Sequence, residues 1–116
     1  MMAKAQRVIL DTAAYQPQHK FFMEIARWLS TLLNVELKVI EEDYVFANQY
    51  GDKDEFGFAW LPQLFIELEG GIIIPVLTKP PFNPQTLELD QELSKKEIIS
   101  KLKQNNVDIP LTSSPP

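Results

Sequence analysis

The stretch Leu61–Leu77, LPQLFIELEGGIIIPVL, decides the fold. Its first half, Pro62–Leu68, is a short apolar run bounded by a proline, the pattern of a buried strand. Gly70-Gly71 then supplies a tight turn, because glycine takes positive φ without steric cost. The run from Ile72 to Thr78 therefore returns antiparallel to the first. Pro75 has no N–H for a ladder, so the returning strand is expected at a sheet edge or bulged at that proline.

Upstream, the pattern predicts a different pairing. Arg7–Ala14, RVILDTAA, is nearly continuous apolar sequence and reads as a buried strand. Pro17–Asn34 reads as a helix: Pro17 suits the first turn, and Phe21, Ile25, Trp28 (or Leu29) and Leu32 recur at helical spacing. Lys20, Glu24, Arg27 and Thr31 follow the opposite face. Val35–Ile40, VELKVI, alternates apolar with charged residues, as an edge strand with one wet face does. A strand, a crossover helix and a second strand make a right-handed βαβ unit. Glu41–Gly51 reads as a short helix, with acids at its positive end and Gly51 at a C-terminal position of positive φ.

After the hairpin, KPPFNPQTLELDQE is a long connection with three prolines, in which Thr86–Leu89 offers a short strand. Ser94–Gln104 is predicted as the last helix. Ser94 and Glu97 have capping-box spacing, and Leu93 and Ile98 staple spacing. VDIPLTSSPP has no periodicity. The expectation is an α/β domain over 1–105, built on a four-stranded mixed sheet (βαβ unit, then helix, β-hairpin and C-terminal helix), with a flexible tail over 106–116.

Composition excludes several chemistries. The 116 residues hold no cysteine and one histidine. Disulfides, thiolate metal sites, thiol catalysis and a multi-histidine metal site are all ruled out within one chain. The net charge of −5 argues against nucleic acid, whose phosphates demand a basic patch. No apolar run reaches the ~18 residues of a membrane span, and no signal-peptide pattern precedes the first strand, so the expected location is cytoplasmic. No metal or cofactor is implied.

Four ordered features resemble a known family. QPQH, Gln16–His19, lies between the first strand and first helix. LPQLFIEL opens the third strand with Pro62. EDYVFANQYG forms the helix leading to that proline, and LSKKEIISKLKQ closes the domain. This order resembles the thioredoxin-fold superfamily in its short, glutaredoxin-like form, over roughly residues 6–104. The resemblance implies that Gln16 and His19 stand at the two cysteine positions of the family's redox motif, so QPQH is a vacated redox site: Gln16, Pro17, Gln18, His19. It implies a cis peptide bond at Pro62, beside which the family's backbone pairs with extended peptide or glutathione. Thiol–disulfide exchange by this chain is impossible without sulfur. The Asp52–Trp60 loop and the Lys79–Glu92 connection are both longer than the family's usual pattern.

Each candidate site has two readings. QPQH is either an anion or carboxylate subsite at an open helix N-terminus or a plain polar first turn. Asp11 is either a buried acid of raised pKa or a strand-end residue bonded to loop N–H groups. Tyr15 is either an activator of a bound thiol or an exposed residue, and with Leu61 and Pro62 it is a peptide- or ligand-binding candidate. Asp52 and Asp54 hint at a hard cation, but the remaining ligands of a calcium loop are missing. Phe56, Phe58 and Trp60 are either interface residues or core. Ile72, Ile73 and Ile74, apolar on both faces of an edge strand, are interface candidates unless the long connection covers them. The expected function is a redox-inactive binding, scaffold or regulatory module acting through protein–protein interaction or self-association. The alternative is a glutathione-dependent transferase- or isomerase-like enzyme using a substrate-supplied thiol held by Tyr15, Gln16 and the Pro62 backbone.

Overall fold

In the computed structural model, which describes residues 2–110, the apolar run begins as β1, Ala5–Thr12, the second strand of a four-stranded sheet. Helix α1, His19–Leu33, leads to β2, Glu36–Glu41, which pairs parallel to β1 at the sheet edge. Helix α2, Tyr44–Tyr50, precedes β3, Gln63–Leu68, and a turn at Glu69–Gly71 leads to β4, Ile73–Leu77. Helix α3, Gln91–Gln104, closes the order. The sheet runs β2-β1-β3-β4, with β3 antiparallel to both β1 and β4. The protein is thus an α/β domain on a four-stranded mixed sheet, as the sequence predicts. Among the described residues no helix is long and apolar enough to cross a membrane.

Alternation along the strands sorts side chains onto two faces. Val8, Leu10, Leu64, Ile66 and Leu68 join Phe22, Ile25 and Leu29 of α1 and Ile98 and Leu102 of α3 in one core. The other face takes α2, whose Phe46 packs edge-on against Phe65 at 5.0 Å between ring centroids. Asp11 and Gln63 are register partners on this second face, and both are buried. Farther along it, Arg7 lies between Glu36 and Glu67 and bonds both, at 2.9 Å and 2.6 Å, across three neighbouring strands.

Several expectations shift in detail. The buried stripe of α1 is Phe22, Ile25, Ala26, Leu29 and Leu33, with Phe21, Trp28 and Leu32 at its half-buried flanks. Helix α3 starts three residues before Ser94. Asp90 is its cap, accepting from the Leu93 N–H, while the Ser94 hydroxyl bonds back to the Asp90 carbonyl. Gly51 has φ −95°, so positive φ is not why glycine stands there. The hairpin turn does use it, at Gly70 and Gly71. The Thr86–Leu89 strand reduces to a single bridge between Phe82 and Leu89. A tail from 106 onward is corrected for 106–110: Val107 is buried in the core and bridges Ala3 in parallel, and Ile109 packs on the same core. The rest of the expected tail lies outside the described residues.

Candidate functional site

Three connections meet where β1 and β4 end and β3 begins. The first is the QPQH turn. The Gln16 N–H donates to the Ala13 carbonyl, and the His19 N–H donates to the Gln16 carbonyl, which tightens the chain before α1. His19 Nδ1 stands 2.8 Å from Thr12 Oγ1, so the imidazole is pegged to the end of β1. Gln18 makes no side-chain cap bond, and the first turn of α1 has no acid. Its open N–H groups are polar and electropositive.

The second is the 51–62 segment. Gln63, buried beneath it, holds it by three bonds: Oε1 accepts from the Asp52 N–H, and Nε2 donates to the Asp52 and Trp60 carbonyls. A buried polar side chain in an apolar strand is accounted for once its nitrogen and its oxygen both have partners. Lys53 and Ala59 bridge antiparallel, and Asp54 Oδ1 accepts from both Phe56 and Phe58 N–H groups. Asp52 Oδ1 accepts from the Lys53 N–H and Oδ2 from the Thr78 hydroxyl. These two carboxylates close a miniature hairpin. The Leu61–Pro62 peptide is cis.

The third is the connection after β4. Trp60 Nε1 donates to the Thr78 carbonyl at 2.9 Å, and Lys79 Nζ lies 5.0 Å from the centre of the Trp60 ring. The two long connections are thereby stitched together.

Between these pieces lies a groove of about 510 Å³. Gln16, Pro17 and Gln18 form one wall, and Trp60, Leu61 and Pro62 the floor. Thr78, Lys79, Pro80 and Phe82 form the other wall. Leu61, only 7 % exposed, makes no hydrogen bond through its backbone N–H or carbonyl among the described residues.

The structure therefore joins Gln16, Pro17, Gln18, Trp60, Leu61 and Pro62 in one place. It leaves out His19, which turns to Thr12, and Tyr15, whose hydroxyl donates to Glu42 Oε1 at 2.6 Å. Phe56 and Phe58 are exposed on the miniature hairpin, and Trp60 is half-buried. Of the isoleucines, Ile72 is exposed, Ile73 half-buried, and Ile74 packs against the chain's own core. The Leu68 N–H donates to the Ile72 carbonyl, so alternation turns Ile74 inward and Pro75 outward, where its missing N–H blunts the edge. Sequence reading missed the Thr78–Phe82 wall and the clamp of Gln63. The first carries no periodicity; the second was signalled by a polar residue in an apolar strand.

Asp11 lies below this site. Its Oδ1 accepts from the Asp43 N–H at 3.1 Å, and among the described residues Oδ2 has no partner. Burial pushes its pKa up to about 6, against the opposing bond from Asp43. No protein-family model, curated protein or solved structure matches this chain.

Proposed function

We propose that the chain is a cysteine-free, thioredoxin-like binding module whose groove takes an extended segment of a partner protein. The observation that carries this reading is Leu61. Its backbone N–H and carbonyl are used by no other group among the described residues, so both remain open to pair with a strand-like ligand in the groove that Leu61 lines. Main-chain pairing of this kind needs no sulfur, and pockets beside it read alternate side chains. Trp60, Phe82 and the three prolines offer apolar surface for those side chains, and Gln16 and Gln18 offer amides. Support for the thioredoxin-like assignment comes from the strand order, the place of the QPQH turn before α1, and the cis peptide at Pro62.

The glutathione-dependent reading fares worse. Activation of a bound thiol would need the Tyr15 hydroxyl, and that proton is committed to Glu42 outside the groove.

The test is selection of linear peptides from a phage-displayed library, followed by titration of the selected peptide into ¹⁵N-labelled protein. The expected shifts are largest at Gln16, Gln18, Trp60 and Leu61. Failure to select any peptide, or shifts confined elsewhere, overturns the proposal. Shifts at the same residues with millimolar glutathione alone would favour the enzyme reading.

A further inference from the structure

The negative charge of this protein has one origin. Glu41-Glu42-Asp43 and Asp52-Lys53-Asp54-Glu55 together hold six acids and one base, which is the whole net charge of −5; ten acids and ten bases remain elsewhere. The fold sets these segments at the two ends of α2. Among the described residues none of the six acids forms an ion pair, whereas Glu36 and Glu67 are paired with Arg7, and Glu92 with Lys95.

Large apolar side chains stand out in the same region. Val45 is 79 % exposed, Phe56 76 % and Phe58 66 %, and Tyr44 is exposed as well. Phe46 and Ala47 face the sheet, which leaves Val45 on the outer side of α2. Asn48 accepts from the Ala59 N–H through Oδ1 and so ties the miniature hairpin to the helix. Tyr44 is one turn earlier on the same ridge. Because Asp54 fixes both phenylalanine N–H groups, the backbone that displays these rings is already ordered, and little entropy is lost when they are covered.

We propose that the outer face of α2, together with the Phe56–Phe58 hairpin, docks a cationic, apolar-bearing segment of a partner protein. Lysines or arginines of the partner would meet the acids at 41–43 and 52–55, and its aliphatic or aromatic side chains would cover Val45, Phe56 and Phe58. Charge selects this occupant. A second copy docking through the same face would present the same acids, and nucleic acid or an anionic membrane has the wrong sign. The surface is separate from the groove and does not depend on what the groove binds.

The test uses the full chain and three fluorescein-labelled peptides, composed of Lys and Leu, Glu and Leu, or Lys and Ser, followed by anisotropy. The Lys/Leu peptide is expected to bind, and the other two at least ~10-fold more weakly. Its affinity should fall from about 0.05 M to about 0.5 M salt, as screening removes the attraction. F56S/F58S should weaken binding ~10-fold, and E41Q/E55Q should reduce both affinity and salt dependence. F82S, on the groove wall, should leave binding unchanged. In the unmodified ¹⁵N-labelled protein the largest shifts should fall at residues 44–45 and 55–58, a readout that needs no variant to fold. The proposal is overturned if the Lys/Leu peptide does not bind, if F56S/F58S binds it equally well, or if the shifts lie in the groove. A dimer in sedimentation that F56S/F58S abolishes would also overturn it, by assigning the face to a second copy.

Discussion

The side-chain amide of Gln63 fills the space that any side chain at Gly51 would enter. A Cβ there would meet Gln63 Oε1 and stand 2.7 Å from the Ala47 carbonyl oxygen. The backbone of Gly51 is otherwise open to any residue, at φ −95°. The glycine therefore serves close approach, and the approach lets Gln63 hold Asp52 and Trp60 under the groove. G51A should cost about 2–3 kcal/mol by overpacking, read as a lower urea midpoint. Q63A should cost a similar amount by leaving partly buried backbone groups of Asp52 and Trp60 unpaired and a cavity in their place. Because the second change removes one of the two obstacles to the first and leaves the Ala47 carbonyl in place, the double variant should lose somewhat less than the sum. Additive losses would show that the two residues are not coupled.

Asp11 makes stability fall with rising pH. Its folded pKa, about 6, lies above the ordinary value of 3.8 because burial disfavours the charged form. The neutral acid therefore binds its proton more tightly in the folded chain. That stabilisation is fully present below pH 3.8 and is lost as the pH rises through about 6. Between pH 4 and pH 7 the loss should be about 2 kcal/mol. Other carboxylates titrate over part of this range, so the measurement is the difference between wild type and D11N in urea denaturation across pH. D11N should gain on wild type by that amount as the pH rises. A constant difference would mean that Asp11 ionises as an ordinary aspartate.

The sheet was legible because its signals are local. Gly70-Gly71 sits between two apolar runs, and VELKVI shows one wet face, so the pairing and the edge position of β2 follow from short windows. The start of α3 was obscured by imitation: Ser94 and Glu97 copy a capping box, but Asp90 caps from within a Pro-rich segment that hides its helical onset. The candidate site was half legible. Gln16, Pro17, Gln18, Trp60, Leu61 and Pro62 belong to recognisable turns. The opposite wall depends on Trp60 reaching Thr78 and Lys79, eighteen and nineteen residues on, and no spacing rule encodes that reach. The charge of the α2 ends was visible as composition, but that none of these acids forms an ion pair among the described residues emerges only from the fold.

Tyr15 should titrate late. Its hydroxyl donates to Glu42, and this bond, then partial desolvation and the nearby negative charges, pushes its pKa up to about 12. Absorbance of the phenolate, followed against pH, should show one of the three tyrosines ionising about two pH units above the usual 10. E42Q should return it toward 10. A Tyr15 that ionises normally would mean that the Glu42 bond is not maintained in solution. It would also free the hydroxyl and reopen the thiol-activation reading.

Val107 should behave as a core residue although it follows the last helix. It is almost fully buried among side chains of α1, α3 and the sheet. Its segment is fixed at both ends: the Ala3 N–H donates to the Asn106 carbonyl at 2.8 Å, and the Asp108 N–H donates to the Ala3 carbonyl at 2.7 Å. V107A removes two methyl groups from a packed site and should cost about 1–2 kcal/mol in urea denaturation. A chain ended after Gln104 also loses the packing of Ile109 and both pairings with Ala3, so its midpoint should fall farther than that of V107A. D108A keeps the backbone donor that the pairing uses and should leave the midpoint near wild type. If V107A and the shortened chain both match wild type, the bridge to Ala3 contributes no stability, and residues 106–110 act as a tail after all.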